Sequence, residues 1–585
     1  MADDEFTIRP GRVGDRGGQG YNKATSLVGR VQQIARRGGR LRTAGLPGAR
    51  RGTSPLGRGG RAALSRGQAR FSRRVIVKAR IVRHRGTRFR SAPLARHIAY
   101  LERDGVTRDG SDGTMFDARG ERADTERFAA RCESDRHHFR FMVSPEDAAE
   151  LSDIRTLTRE LMDDMARDCG TTLDWVAIDH WNTANPHVHI LVRGVADDGS
   201  DLVIDRGYIT QGLRDRAQER VTLELGPRSE RDIAAALRRE IGAERWTGLD
   251  RQLQRAGGPE GLLDLRPDTA AGNARERRFL IARAEMLERM GLAERAGPAM
   301  WRLLPRLEPT LRELGERGDI IKTIDRAMAG QDRVLAPERL VMDPLQAGAL
   351  ADTAIEGRLI ARGLHDELTG EAYAILDATD GRAHYLRFPD IERTGDAAPG
   401  AIVALSRWTD RNGRAQAGLL VRSDLPLEQQ IGARGATWLD RRMLSSSHAV
   451  QSVGFGAEIE GAMRGRTEWL VEQGLATRQG QRVVFGRNLL ERLRADEIAQ
   501  ATQAIAGRLG TEARPAAEGG TVAGIYRERV ALASGRFAVI EEGRGFQLVP
   551  WRQDLDHHLG EAVSGRINAR GGIDWSFGRK RGPAL

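Results

Sequence analysis

The 585-residue chain is poor in cysteine, in aromatic side chains and in long apolar runs. Two cysteines, Cys132 and Cys169, cannot build a disulfide framework, and a reducing cytosol is the simplest home. No apolar run approaches the roughly 20 residues of a membrane helix. The opening stretch "MADDEFTIRPGRVG" lacks the apolar segment of a secretory signal. No G-x₄-G-K-[S/T] occurs, so the phosphate loop of common NTPases and helicases is missing. "HDELTGE" lacks the second histidine of a metalloprotease helix. Only six tyrosines are present: Tyr21, Tyr100, Tyr208, Tyr373, Tyr385 and Tyr526. A phenolic nucleophile therefore has few candidates.

What the chain has is positive charge in one place. Its net charge is +12. The first 95 residues carry 23 basic and 4 acidic side chains, a net of +19, which leaves −7 for the rest. A basic head on a mildly acidic body suits a polyanion, most plausibly nucleic acid. Such binding weakens steeply with salt, because each neutralised phosphate releases counterions. The alternative is a solvated tail with no specific partner.

Residues 1–72 are Gly/Arg-rich without a sustained period and read as disordered. From 73 to 228 an α/β (α+β) domain is expected. "RRVIVKARIVRHR" is a basic, β-branched strand. "APLARHIAYLERDG" is a short helix. "HFRFMV", "LDWVAIDHW" and "HVHILVRG" are further strands. Ser144 reads as the N-cap of a long helix, with Pro145 at its first position and Asp147 completing a capping box; Gly170 ends it. The short turn between strands implies a central antiparallel sheet with helices on one face. A helical segment (229–340), a small β-rich one (341–430), another helical one (431–520) and a β-rich C-terminus (521–585) with a basic tail follow. "RAEMLERMGLAERAG" from Arg283 and "RTEWLVEQGLATRQG" from Arg466 share R-x-E-x-L-x₃-G-L-A. This echo is either a winged helix used twice or a common helix C-cap pattern recurring.

In "DHWNTANPHVHILVRG", three of the chain's 12 histidines fall within ten positions. His187 and His189 alternate in a strand and share a face. If the two strands flanking "NTANP" form a hairpin, His180 lies opposite His187 at roughly 5 Å and diagonal to His189 at roughly 7–8 Å. Three converging imidazoles suit a divalent cation with open positions. Asp179 points to the other face in this register. Asn182, in the turn, can hydrogen-bond a ligand histidine or a phosphate. Arg193 shares the His187/His189 face and is a phosphate candidate, as are Arg73, Arg74, Lys78 and Arg80 on the basic strand. Tyr100 and Tyr208 are the tyrosines of this domain. His97 lies one helical turn before Tyr100. His137, His138 and the pair His557–His558 take no assignment.

These residues resemble a family. "HWNTANPHVH" fits H-x-[D/N]-x₄-H-x-H, the third motif of relaxases, the mobilisation nucleases of the HUH endonuclease superfamily. "HIAYLERDG" is similar to their first motif, which supplies a nucleophilic tyrosine. "FRFMVSPED" is similar to their second, where a serine at the head of a helix contacts DNA. The order of the three is that of the family, and the likeness is nearest to the P-type conjugative group. "GATWLDRRML" and "ASGRFAVIEEGRGFQLVPW" resemble a long subgroup whose C-terminal half has no assigned chemistry. The resemblance implies a nickase of a DNA transfer origin. In that reading Tyr100 forms a 5′-phosphotyrosyl adduct, His180, His187 and His189 hold Mg²⁺ or Mn²⁺, Ser144 contacts DNA and Tyr208 is a reserve nucleophile. Asn182 departs from relatives that have an acidic residue there. The family also implies single-stranded and duplex origin DNA, relaxosome accessory proteins and a type IV secretion coupling protein as partners. It implies a cytoplasmic donor-cell location with export to a recipient. A rolling-circle replication initiator or transposase of the same superfamily, and a non-catalytic DNA-binding protein with a structural metal, are the alternatives.

Overall fold

The structure is a computed structural model that describes residues 58–59, 71–83, 92–102, 107–108, 113–181, 185–267, 274–329, 337–342, 355–410, 413–445, 451, 453–480, 482–514, 520–543, 545–568 and 572–577. Tyr21, Asn182 and the basic tail lie outside these residues. Among the described residues the protein is mixed α/β, with 12 α-helices and several largely antiparallel sheets. It divides into two units, Met1–Ala243 with Thr247–Pro305 and Glu244–Trp246 with Arg306–Leu585.

The first unit starts with β1 (Val75–Arg83), whose β-branched residues alternate: Val75 and Val77 are buried, Ile76 and Lys78 exposed. Then come α1 (Ala92–Leu101), α2 (Thr125–Arg131), β2 (His137–Pro145), α3 (Ile154–Cys169), β3 (Trp175–His180), β4 (His187–Arg193) and α4 (Leu213–Leu225). The strands form an antiparallel sheet in the order β1-β2-β4-β3.

Helices cover both faces of this sheet, not one. Leu157, Leu161 and Met165 of α3 and Leu213, Ala217 and Val221 of α4 pack with Phe139, Phe141, Val188 and Ile190. On the opposite face Leu94, Ile98 and Leu101 of α1 and Phe128 of α2 pack with Val176, Ile178 and Leu191. The Leu94–Ile98–Leu101 stripe has helical spacing, so α1 has its own apolar face to bury. That second cover lies over β3 and β4. Lys78 and Arg80 of the edge strand β1 remain exposed on the same side.

The helix expected to be capped by Ser144 begins nine residues later. Ser144 and Pro145 stay in β2, paired with Ile76 and Val75. Asp147 accepts a charged hydrogen bond from Arg73 (2.9 Å) and makes no capping bond. Asp153 is the N-cap of α3, accepting from the N–H groups of Arg155 and Thr156. Sheet pairing holds the Ser-Pro step extended, and a carboxylate cap is available downstream. Gly170 closes α3 in the left-handed conformation, φ 63°.

The rest of this unit is α5 (Glu230–Ile241), α6 (Gly248–Gly257), β5 (Leu262–Asp264), α7 (Ala274–Arg289), β6 (Ala293–Gly297) and β7 (Met300–Leu303), with the strands ordered β5-β7-β6.

In the second unit, α8 (Leu307–Ala329) packs Ile320, Ile324 and Met328 on Ile360, Ile375 and Tyr385 of a six-stranded sheet running from Leu340–Met342 to Ala415–Ser423. The helical segment expected over 229–340 is therefore divided at Pro305, because this apolar stripe is buried against the sheet. Next come α9 (Leu427–Ile431), α10 (Trp438–Leu444), α11 (Phe455–Glu472), a hairpin of Ala476–Gln479 with Arg482–Phe485, α12 (Leu489–Leu509) and a second six-stranded sheet ending at Ile573–Ser576. Among the described residues no helix is long and apolar enough to cross a membrane.

Candidate metal centre

The strands β3 and β4 pair with His180 directly opposite His187, and Ile178 opposite His189. All three imidazoles therefore project from one face. They are buried, at 0%, 6% and 2% exposure for His180, His187 and His189. The ring centroids lie 5.4 Å (180–187), 4.8 Å (180–189) and 4.8 Å (187–189) apart. One ring nitrogen from each falls within 4.8 Å of the others.

Backbone carbonyls set the rings. His180 Nε2 lies 2.9 Å from the carbonyl of Leu101, and His187 Nδ1 lies 2.9 Å from that of Asn185. A carbonyl only accepts, so these nitrogens carry the protons. The proton-free nitrogens are then His180 Nδ1 and His187 Nε2, the usual tautomeric arrangement of a ligand histidine. His187 Nε2 and His189 Nε2 are 3.0 Å apart. Two ligands about 2.1 Å from one ion have that separation when they subtend nearly a right angle. The donor set, its burial and its oriented tautomers fit a divalent cation.

Two further contacts build the centre. The Ser144 hydroxyl donates to the Pro186 carbonyl (3.1 Å), fixing the residue before His187. This hydroxyl has no helix N-terminus behind it; its place is a strand, and its visible work is holding the His187 turn. Leu101, whose carbonyl receives His180, directly follows Tyr100. The short helix α1 thus brings the neighbour of Tyr100 onto the histidine cluster. Tyr100 is half-buried and His97 is buried on the same helix.

The sheet register defines the surroundings. Lys78, Met142, His189 and Ile178 form one cross-sheet row; Arg80, Arg140, Leu191 and Val176 form the next, on the same face. Lys78 and Arg80 are exposed. Arg140 is buried, with Nε donating to His138 Nε2 (3.1 Å). Burial and, next, the positive charge of Arg80 push its guanidinium down to about 10. A basic strip thus runs along the sheet beside the histidines.

Other expected residues have different duties. Arg193 makes a two-pronged ion pair with buried Asp135 (2.8 and 2.9 Å). Arg73 holds Asp147 and the carbonyls of Leu225 and Gly226, and Arg74 pairs with Glu240 (2.8 Å). These three arginines tie elements together. Asp179 faces α3 and accepts from Arg155 (2.8 Å) and Trp181 (2.7 Å). Tyr208 is fully buried on the α3/α4 side, its hydroxyl donating to Asp168 (2.9 Å). Burial and the Asp168 carboxylate raise its phenol well above the ordinary range, so it is not a reserve nucleophile. Cys132 and Cys169 are both buried thiols, pushed up to about 12 mainly by burial.

Sequence reasoning missed the Leu101 and Asn185 carbonyls, Arg140 and Asp135. Backbone acceptors leave no side-chain signature. Arg140 had one signal, its alternation with His138 on the strand that faces the histidines.

The fold and site define a mixed α/β protein with a three-histidine candidate metal centre in its first unit. The chain belongs to the DUF3363 family, described as proteins of unknown function, whose match covers residues 280–416 and 408–584. The histidine cluster lies N-terminal to the matched region. No curated protein and no solved structure matches the chain.

Proposed function

We propose that the first unit is a relaxase-type nuclease, which nicks one strand of DNA at a transfer origin by tyrosine transesterification. The observation that carries this reading is the hydrogen bond between His180 and the carbonyl of Leu101, which couples the Tyr100 helix to the histidine cluster. Single-stranded DNA lies along the exposed edge strand β1, its phosphates met by Lys78 and Arg80.

A divalent cation, Mg²⁺ or Mn²⁺, held by His180, His187 and His189 supplies charge neutralisation at the scissile phosphate's non-bridging oxygens. The Tyr100 phenol oxygen attacks phosphorus. The bond from phosphorus to the 3′ oxygen breaks, leaving a 3′-OH and a 5′-phosphotyrosyl link. One phosphodiester replaces another, so the step is reversible and rejoining needs no ATP. A free phenol in water is only about one part in a thousand ionised at pH 7, so the attack calls for a base. His97, three residues earlier on α1 and so a helix neighbour of Tyr100, takes the phenol proton and passes it to the leaving 3′ oxygen. Asn182 is an amide and cannot serve as that base.

The test is a covalent adduct assay with a single-stranded origin oligonucleotide and Mn²⁺, read by a gel shift that survives denaturant. Wild type forms the adduct and Tyr100→Phe does not. An adduct on Tyr100→Phe removes Tyr100 as nucleophile; no adduct on wild type removes the enzyme reading.

A further inference from the structure

The sequence echo at Arg283 and Arg466 extends, atom for atom, through two helical modules. Thr247 and Thr437 each open a helix with a capping box, closed by Asp250 and Asp440. Arg283 and Arg466, both fully buried, pair in two-pronged fashion with those aspartates. Arg283 also donates to the carbonyls of Ile241 and Ala243, and Arg466 to those of Ile431 and Ala433. The Leu249 N–H donates to Glu240, and the Leu439 N–H to Gln430. The Leu292 N–H donates to Leu287, and the Leu475 N–H to Leu470. A β-hairpin follows the third helix in both. A chance C-cap pattern does not reproduce this many long-range bonds at matching positions. The modules are two copies of one three-helix-and-hairpin unit, the winged-helix order.

The buried arginines fix the register of the third helix in each copy, and that register compares their outward faces. In the first copy the face opposite Arg283 and Leu287 carries Arg275, Arg278, Ala282, Glu285 and Arg289. The matching positions in the second copy are Glu458, Gly461, Gly465, Glu468 and Glu472. Three arginines and one glutamate stand against three glutamates. The second face is also engaged from outside the module: Glu458 binds Arg358 (3.0 Å). In the first copy Arg275, Arg278 and Arg289 are exposed, with Ala282 small between them. Arg275 bridges Glu230 across a surface where both side chains are about half exposed.

We infer that the first copy docks on duplex DNA through α7, and that the second copy has lost this capacity and serves as a structural joint. The three arginines span 14 residues, about 21 Å of helix, with a small residue at the centre. That is the form a helix needs to enter a major groove about 12 Å wide while its ends reach the phosphate walls. Glu285 weakens the stripe by one charge without reversing its sign. The inference does not depend on the nuclease reading.

The experiment measures binding of the full chain to a duplex of about 30 base pairs across about 50–200 mM salt. R275Q/R278Q/R289Q is expected to weaken duplex binding more than tenfold at the higher salt. It should reduce the slope of log K against log salt by about 3, at about 0.9 per lost phosphate contact. The equivalent change in the second copy, E468Q/E472Q, should leave both readouts unchanged. The covalent adduct assay on a single-stranded origin oligonucleotide is run on wild type alongside, so failure of the nuclease reading is recognised separately from the duplex slopes. An unaltered slope in the triple arginine variant overturns the inference. So does an equal gain or loss from E468Q/E472Q. Circular dichroism checks folding, and because all five substituted residues are exposed, altered spectra are not expected.

Discussion

Arg283 offers a test in which one substitution, made twice in the same chain, should cost the same. Its guanidinium is fully buried and donates at 2.7 and 2.9 Å to Asp250, and at 2.8 and 2.7 Å to the carbonyls of Ile241 and Ala243. Replacement by Met keeps an apolar stem of similar length and removes every donor. Asp250 keeps two partners, the Thr247 N–H and hydroxyl, each at 2.7 Å. Its carboxylate is still left buried at 0% exposure without a counter-charge. Breaking such a pair costs about 3–5 kcal/mol, much more than an exposed ion pair is worth. Arg466→Met removes the same set of bonds from Asp440 and the carbonyls of Ile431, Ala433 and Gly435, and should cost a similar amount. Removing the charge on both sides, R283M/D250N, should recover about half the loss, because no bare carboxylate remains. Urea unfolding followed by tryptophan emission reads both sites. Trp301 lies in the first module, where its Nε1 donates to Glu288, and Trp438 and Trp469 in the second. A cost below about 1 kcal/mol for either single variant would refute the reasoning, as would a double variant no more stable than R283M.

Saturating Mn²⁺ at about 100 times its Kd should stabilise the chain by about 2.7 kcal/mol, a melting shift of roughly 5–10 °C that H187A and H189A abolish; an equal shift in H187A/H189A would remove the histidine centre. Tyr208→Phe should keep nicking and lose about 1 kcal/mol of stability, since its buried hydroxyl donates to the partly buried Asp168 carboxylate; loss of the adduct in a folded Tyr208→Phe would restore it as nucleophile. K78Q/R80Q should weaken single-stranded DNA binding and flatten its salt slope by roughly 1.4, about 0.7 per residue; binding and slope equal to wild type would argue against the sheet face. With thiols held up to about 12, Cys132 and Cys169 should resist a thiol reagent at pH 8 in the native chain and react at once in denaturant; fast native labelling would contradict their burial.

Some of this architecture lies open in the sequence. The β-branched run of β1 and the His-x-His spacing of β4 set which side chains share a face, because the strand period is two regardless of context. The Gly170 stop and the echo between Arg283 and Arg466 are likewise local patterns. The two-fold use of one module needed the long-range bonds: Asp250 is 33 residues from Arg283 and Asp440 is 26 from Arg466, separations no period reveals.

The helix start at Ser144 was misread because Ser-Pro followed by acidic residues is a good cap anywhere a partner strand is missing, and here Val75 and Ile76 supply one. Arg193 and Tyr208 look free for chemistry in the sequence, and tertiary packing brings them Asp135 and Asp168. Local spacing already places three imidazoles and a basic strand in one domain. Which ring nitrogens carry the protons depends on the fold, because the Leu101 and Asn185 carbonyls fix them, and the first of these reaches His180 across 79 residues of chain.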